Sequence, residues 1–347
     1  MKIVSSCKQG LARSWRTKRM IFFAWFVNVM FATVLALPFL KQLDGYLRDS
    51  VMDEKILQRW DPAWTQSYRA DMEKSEFVHS LDYTILGYAP FLNDLEMQMN
   101  GSFVKTVGTF LYDVFIGWQL NSDPMSLLFF LSLLYLCVNS FLAGGFIGVY
   151  SKEYRSSFPE FLMDGARYFG KFFRIALVAM LVYFIFFAVI VDWINNSIVH
   201  WTLKSASETV PFAYYMIRNV IVLLLMAFLS MVFDYTRIRT IVDNRTSALA
   251  ATVAGVRFAT PHFVNTYGLY LLLTIVGILL IAIYAILDSL IPQSSYWPLV
   301  FLFVVQQLYM LARLWLKASF YACQTTMYQA VTREEHFKSV STAPATM

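Results

Sequence analysis

Four histidines, His79, His200, His262 and His336, are the first side chains to ask about chemistry. None stands in an HExxH, Gly-x-Ser-x-Gly or P-loop spacing, which would carry metal-assisted hydrolysis, acyl transfer or phosphate cradling. His79 with Asp82 and Glu76 is a candidate for an outer metal site. A solvated polar face is the commoner use of such a group. Cys7, Cys137 and Cys323 stand singly, without the pairing that zinc, iron–sulfur or a disulfide framework requires. Ser205–Ser207 has no base partner that sequence identifies. The expectation is a chain without catalytic residues, metal or cofactor.

Other polar residues stand within apolar stretches. Asn28, Asn139, Gln306 and Gln307 are placed to hydrogen-bond neighbouring helices, with substrate contact as the alternative. Ionisable residues keep to the ends of those stretches: Asp192, Asp234, Asp288 and Arg313, the last able to snorkel. An ordinary proton-coupled transporter would carry them deeper. Arg167, Lys171 and Arg174 fall on one helical face with Glu160 and Asp164. Phe161, Leu162, Tyr168, Phe169, Phe172 and Phe173 occupy the other. That pattern predicts an interfacial helix whose cations could hold anionic headgroups, each contributing about 1 kcal/mol. Ala143, Gly144, Gly145 and Gly148 permit close helix approach, within the chain or between copies of it.

The elements that position these residues are read from hydropathy. Of 347 residues, 58% are hydrophobic and 15% charged, and the mean hydropathy is +0.53. Soluble domains carry about 25% charged residues, so lipid must solvate part of this surface. Apolar runs of spanning length occur at 20–40, 126–150, 173–191, 217–233, 264–290 and 297–316. The fourth is the weakest, because Arg218 and Asn219 open it. The first has a basic leader (1–19), but its run exceeds a signal core and no small-residue cleavage site follows. It reads as an uncleaved anchor.

Basic residues fix the orientation. The leader, the 151–174 and 234–263 loops and the tail are rich in Lys and Arg, while the loops at 192–216 and 291–296 are poor in them. The positive-inside rule then places both termini in the cytoplasm. Nucleic-acid binding is not needed to explain the basic balance. Residues 41–125 carry seven Lys/Arg and thirteen Asp/Glu and fall outside. Helical spacing at 46–60 and 103–118 predicts helices there, packed over the membrane surface. The five remaining spans occupy 126–320, with a cytoplasmic tail at 321–347.

Ser157, Gly165 and Arg167, followed by Tyr168, match Ser247, Gly255 and Arg257, followed by Phe258, at the same spacing. Upstream, Phe141–Leu142 with Tyr150 aligns approximately with Phe228–Leu229 and Tyr235. Ser157-x-x-Glu160 is a capping box with Pro159 in the first turn. Interfacial helices are therefore predicted at 157–172 and 247–260. The leader supplies a third, with Val4, Cys7, Leu11 and Trp15 on one face opposite Lys8 and Arg16. The fold class is all-α: a membrane bundle of about six spans in three hairpins, each introduced by an interfacial helix.

The stretch Asp234-Tyr-Thr-Arg237-Ile-Arg239-Thr-Ile-Val-Asp243-Asn-Arg245, followed by an Ala-rich helix and Arg257-Phe-Ala-Thr-Pro261-His262, resembles the inner loop of uncharacterised bacterial six-span proteins. Their layout is similar to the membrane domain of glycerophosphodiester phosphodiesterases. The resemblance covers the last two thirds of the chain and implies a bacterial inner membrane. The phosphodiesterase catalytic domain is absent, so its reaction does not carry over. The functional expectation is a non-enzymatic accessory or scaffold protein that assembles with membrane-protein partners or with itself. Binding or transport of lipid or an apolar substrate is the alternative, and a lipid-modifying enzyme is the third reading.

Overall fold

The computed structural model describes residues 2–48, 124–152, 154–203, 209–291 and 296–341, with Ser205 and Ser207 between. The helices expected at 46–60 and 103–118 lie outside these residues, apart from the first few positions. So do His79, Glu76 and Asp82. Every regular element among the described residues is helical.

The elements are α1 (Lys2–Trp15), α2 (Lys18–Arg48), α3 (Pro124–Ser151), α4 (Phe158–Ile185), α5 (Asp192–Thr202), α6 (Thr209–Val242), α7 (Ala248–Ala259), α8 (Phe263–Leu290) and α9 (Tyr296–Ser341). A π-helical turn, Phe186–Val191, joins α4 to α5 without a break. Among the described residues, five stretches are long and apolar enough to cross a membrane: Leu133–Ser151, Phe158–Thr202, Thr209–Val242, Phe263–Leu290 and Tyr296–Glu335.

Several boundaries differ from the hydropathy reading. No break separates 157–172 from the span after it. Ser157 caps α4, its side chain accepting from the Glu160 amide, and the helix then runs on unbroken. The connection expected over 192–216 shrinks to the residues between Thr202 and Thr209, because the π turn lets the helix continue. Residues beyond 320 are not simply a tail. Tyr321, Ala322, Cys323, Met327, Tyr328 and Val331 of α9 are buried in the main core.

Most buried side chains gather at one end of the bundle, where three helix pairs cross. There α3 packs on α4, α6 on α7, and α9 on α1. Glycine makes each crossing possible. A Cβ on Gly165 would lie 3.0 Å from the Phe141 carbonyl, and one on Gly255 would lie 3.1 Å from the Val232 carbonyl. A Cβ on Gly255 would lie 3.1 Å from the Thr236 amide, and one on Gly10 would lie 2.6 Å from the Cys323 amide. Lipid tails are as apolar as leucine, so helices associate here through close packing and hydrogen bonds.

These contacts set a common register. Gly145, Thr236 and Cys323 take equivalent places in α3, α6 and α9, and those three helices touch one another. The alignment of Phe141 with Phe228 is therefore displaced by about one helical turn, since Phe141 corresponds to Val232. Hydropathy could not detect this shift, because apolar residues fill both registers.

The α1 face differs in part from expectation: Cys7 and Leu11 pack against the core, but Val4 and Trp15 are exposed, while Ser6, Gly10, Ser14 and Thr17 are buried. Small side chains let α1 sit close on α9, and their hydroxyls find partners. Ser319 Oγ donates to Ser14 Oγ at 2.9 Å, and Ser6 Oγ donates to Met327 Sδ at 3.7 Å.

The far halves of the helices are open. Leu279, Ile283, Ile286, Leu290, Trp297, Phe301, Phe303 and Leu308 are exposed, as a lipid-facing surface requires. Phe186, Phe187, Val191 and Val222 form a smaller core there. Arg218, buried in α6, donates to Asn195 of α5 and to the neighbouring Asn219 Oδ1 at 3.0 and 2.6 Å. That solvation by amides explains how an apolar run opening on Arg218-Asn219 is tolerated within α6.

Candidate functional site: a cationic cavity between α3, α6 and α9

The shared register places three polar residues at one level. At equal distances N-terminal to Gly145, Thr236 and Cys323 stand Asn139, Ser230 and Lys317. All three line one cavity of about 370 Å³, within the range of small-molecule sites. Lys317 Nζ donates to Asn139 Oδ1 at 2.7 Å, joining α9 to α3. The Tyr183 hydroxyl and Ser230 Oγ share a hydrogen bond of 2.7 Å, joining α4 to α6.

One turn further along α6, Asp234 and Arg237 enter the same wall, paired at 3.0 Å. Both are mostly sheltered, their side chains 13% and 21% exposed. Arg313, Tyr270 and Tyr321 complete the polar lining. Among the described lining residues, Arg237 and Lys317 face the one carboxylate, with Arg313 close by; Lys317 and Arg313 are exposed, so an anion or water can reach them. Beside this wall, Gln324 is fully buried, and neither of its amide atoms has a hydrogen-bond partner among the described residues. It lies within electrostatic reach of Asp234, but not at hydrogen-bonding geometry.

The cavity adjoins an apolar crevice of about 30 Å³ lined by Ala24, Val138, Leu142, Phe146 and Leu314. Asn139, Lys317 and Tyr321 belong to both. The larger chamber is of a size to take a small charged group, and the crevice beside it has room for only a water or two.

Against protein-family models, curated proteins and solved structures, the chain has no match.

Function must therefore be argued from the site itself. The intramembrane polar residues divide by role. Asn139 and Gln307 make interhelical bonds, the latter accepting from Trp25 Nε1 at 3.2 Å. Asn28 donates to the Ala24 carbonyl of its own helix at 2.7 Å, and it also lines the apolar crevice. Gln306 is exposed and makes no hydrogen bond among the described residues.

The headgroup candidates stand on the outward face of α4. Arg167 and Arg174 are exposed, and Arg167 and Lys171 flank the Tyr168 ring. Lys171 Nζ donates to Asn244 Oδ1 at 3.1 Å. Asp164 leaves that face: it is buried beside Gly148 and paired with Lys152 at 2.7 Å. The small residues Gly144, Gly145 and Gly148 all press on α4. Ala143 is buried in the core and borders the apolar crevice. That stripe is therefore occupied within the chain. His262 pairs with Glu335 at 2.9 Å, and no metal-binding cluster occurs among the described residues.

The cationic cavity was not foreseen from the sequence. Asp234 and Lys317 each follow directly after an apolar run and read as ordinary boundary charges. The available signal was their spacing. Asp234 with Arg237, and Arg313 with Lys317, each put two charges on one helix face.

Proposed function

We propose that this chain is a multi-pass membrane protein that binds the anionic head of an amphiphile, most simply a phospholipid, in the cavity between α3, α6 and α9. The placement of Arg237 and Lys317 against Asp234, the one carboxylate among the described lining residues, beside an apolar slot, is the observation that carries this reading. In this reading α2 is a sixth span, and the spans pair as three hairpins. Each hairpin is introduced by an amphipathic helix at the cytoplasmic surface of a bacterial inner membrane. Both termini are then cytoplasmic, and 41–125 is extracytoplasmic. In this reading the charges of α6 and α9 stand where the apolar runs of those helices end, while Asn139 and Tyr183 reach the cavity from the middle of the runs of α3 and α4. Binding alone needs no nucleophile or general base.

A scaffold role keeps the exposed far halves of the helices as partner surface. It loses Gly144, Gly145 and Gly148 as an oligomer contact, since α4 covers them.

Native mass spectrometry after mild detergent extraction tests the binding reading. The wild type should retain anionic phospholipid in preference to zwitterionic, and Lys317→Gln should lose that preference while Lys171→Gln keeps it. Equal retention of both lipid classes by the wild type, or an unchanged Lys317→Gln variant, counts against it.

A further inference from the structure

A second basic site lies at the crossing end, where α1 turns into α2 beside the linker from α3 to α4. We propose that this groove binds a phosphomonoester dianion, as a lipid headgroup or as free phosphate, and that it is distinct from the cavity above.

The groove holds about 70 Å³, enough for a few waters or one tetrahedral oxyanion. Arg13, Arg16, Lys152 and Arg155 line it, with the hydroxyl-bearing Thr17 and Tyr154, and among the described residues no carboxylate lines it. Two of the cations are held in place by the protein. Arg13 Nη1 donates at 3.1 Å to both the Tyr150 carbonyl and Gln329 Oε1, capping the end of α3 and tying it to α9. Lys152 is fixed by Asp164 at 2.7 Å and Glu160 at 3.7 Å. Burial opposes its charge, but the adjacent Asp164 carboxylate outweighs this and holds its pKa above the ordinary lysine value.

The floor is equally fixed. Thr17 Oγ1 and the Tyr150 hydroxyl share a 2.8 Å hydrogen bond, and Thr17 Oγ1 also donates to the Ser14 carbonyl at 2.8 Å. These bonds set the α1–α2 corner against α3. The other two cations, Arg16 and Arg155, are exposed and have no ion-pair partner among the described residues. The N-terminus of α4 follows directly after Arg155 and Ser156, and its dipole adds to the positive field. Anchored Arg13, two forked guanidinium groups without ion-pair partners among the described residues and a helix N-terminus suit a compact dianion, while Lys152, offset by Asp164, shapes the wall. Arginine is the side chain best shaped to grip phosphate oxygens in pairs. At about 1.5 Å per residue along α3, this groove is about 16 Å from Asn139, so the two sites can be separated by mutation.

The test uses the full chain in phosphatidylcholine nanodiscs. In one arm, inorganic phosphate is titrated while thermal unfolding is followed. In the other, no phosphate is added, and the discs carry either phosphatidic acid or phosphatidylglycerol at equal mole fraction. Stabilisation by free phosphate alone assigns the groove to a soluble ligand. Stabilisation by phosphatidic acid over phosphatidylglycerol assigns it to a lipid headgroup. Arg16→Gln with Arg155→Gln should weaken the response at least tenfold, and Lys317→Gln should leave it intact. Each single arginine variant should give an intermediate weakening, which keeps the proposal testable if the double variant does not fold. No response to either phosphate or phosphatidic acid overturns it, as does a wild-type response in the arginine variants. Loss of the response in Lys317→Gln alone would return the ligand to the first cavity.

Discussion

Lys317 Nζ lies 2.7 Å from Asn139 Oδ1, and this bond joins α9 to α3 at the level where Ser230 of α6 completes the ring. The lysine shares its cavity with Arg237 and Arg313. If the cavity takes an anionic head as proposed, this charge favours the anion-bound protein over the empty one. Lys317→Met should melt at or above the wild-type temperature in zwitterionic nanodiscs. It should also lose most of the stabilisation that anionic lipid gives the wild type, which differential scanning fluorimetry in the two lipids reads directly. A variant less stable in both lipids, with the anionic increment intact, would make Lys317 purely structural.

The helix crossings predict a sharp contrast between glycines. A Cβ on Gly145 would lie 2.6 Å from the Phe161 ring and 2.8 Å from its carbonyl, whereas one on Gly170 meets nothing within 4 Å. Gly145→Val should destabilise by about 1–3 kcal/mol through overpacking. Gly170→Ala should stabilise by up to about 1 kcal/mol, the helix-propensity difference. Unfolding in mixed detergent and denaturant compares them. Equal effects would show that the α3–α4 crossing is not as close as described.

The positions of these glycines explain what the sequence disclosed. Gly165 and Gly255 recur with Ser and Arg at the same spacing because each is the point where a second helix touches. Length and hydropathy were likewise sufficient for the all-helical class and for the five helices, among the described residues, that are long and apolar enough to cross a membrane. What remained hidden was pairing. Asp234 and Lys317 look like boundary charges until α6 and α9 are brought together. The buried face of α1 was partly misplaced because Val4 and Trp15 outweigh Ser6, Gly10 and Ser14 in hydropathy. In a bundle crossing, closeness of backbone matters more than apolar area.

That lesson gives a third prediction, on α1. A Cβ on Gly10 would lie 2.5 Å from Cys323 Cα, so backbone meets backbone and no rotamer can relieve it. In a background with Cys7→Ser and Cys137→Ser, Gly10→Val should lift α1 from α9 and uncover the buried Cys323. Maleimide labelling of Cys323 should accelerate roughly fivefold or more, the factor expected for an overpacking cost of about 1 kcal/mol or above. Labelling at the parent rate would mean that α1 does not shield this cysteine.

The last prediction concerns Arg218. Its guanidinium is buried between α5 and α6 and is solvated by Asn195 and Asn219. It also stands 5.1 Å from the Tyr215 ring centroid. Hydrogen bonds to a charged group contribute about 1.5–3 kcal/mol, and removing one partner leaves the charge buried without it. Asn195→Leu should therefore destabilise by about 1.5–3 kcal/mol. Arg218→Met removes the charge together with its need for partners, and should cost less than Asn195→Leu. The double variant should be no worse than Asn195→Leu alone, since the leucine then faces an apolar side chain. A double-mutant cycle on unfolding free energy decides this. Additive losses would show that Asn195 stabilises the α5–α6 pair by some contact other than the one with Arg218.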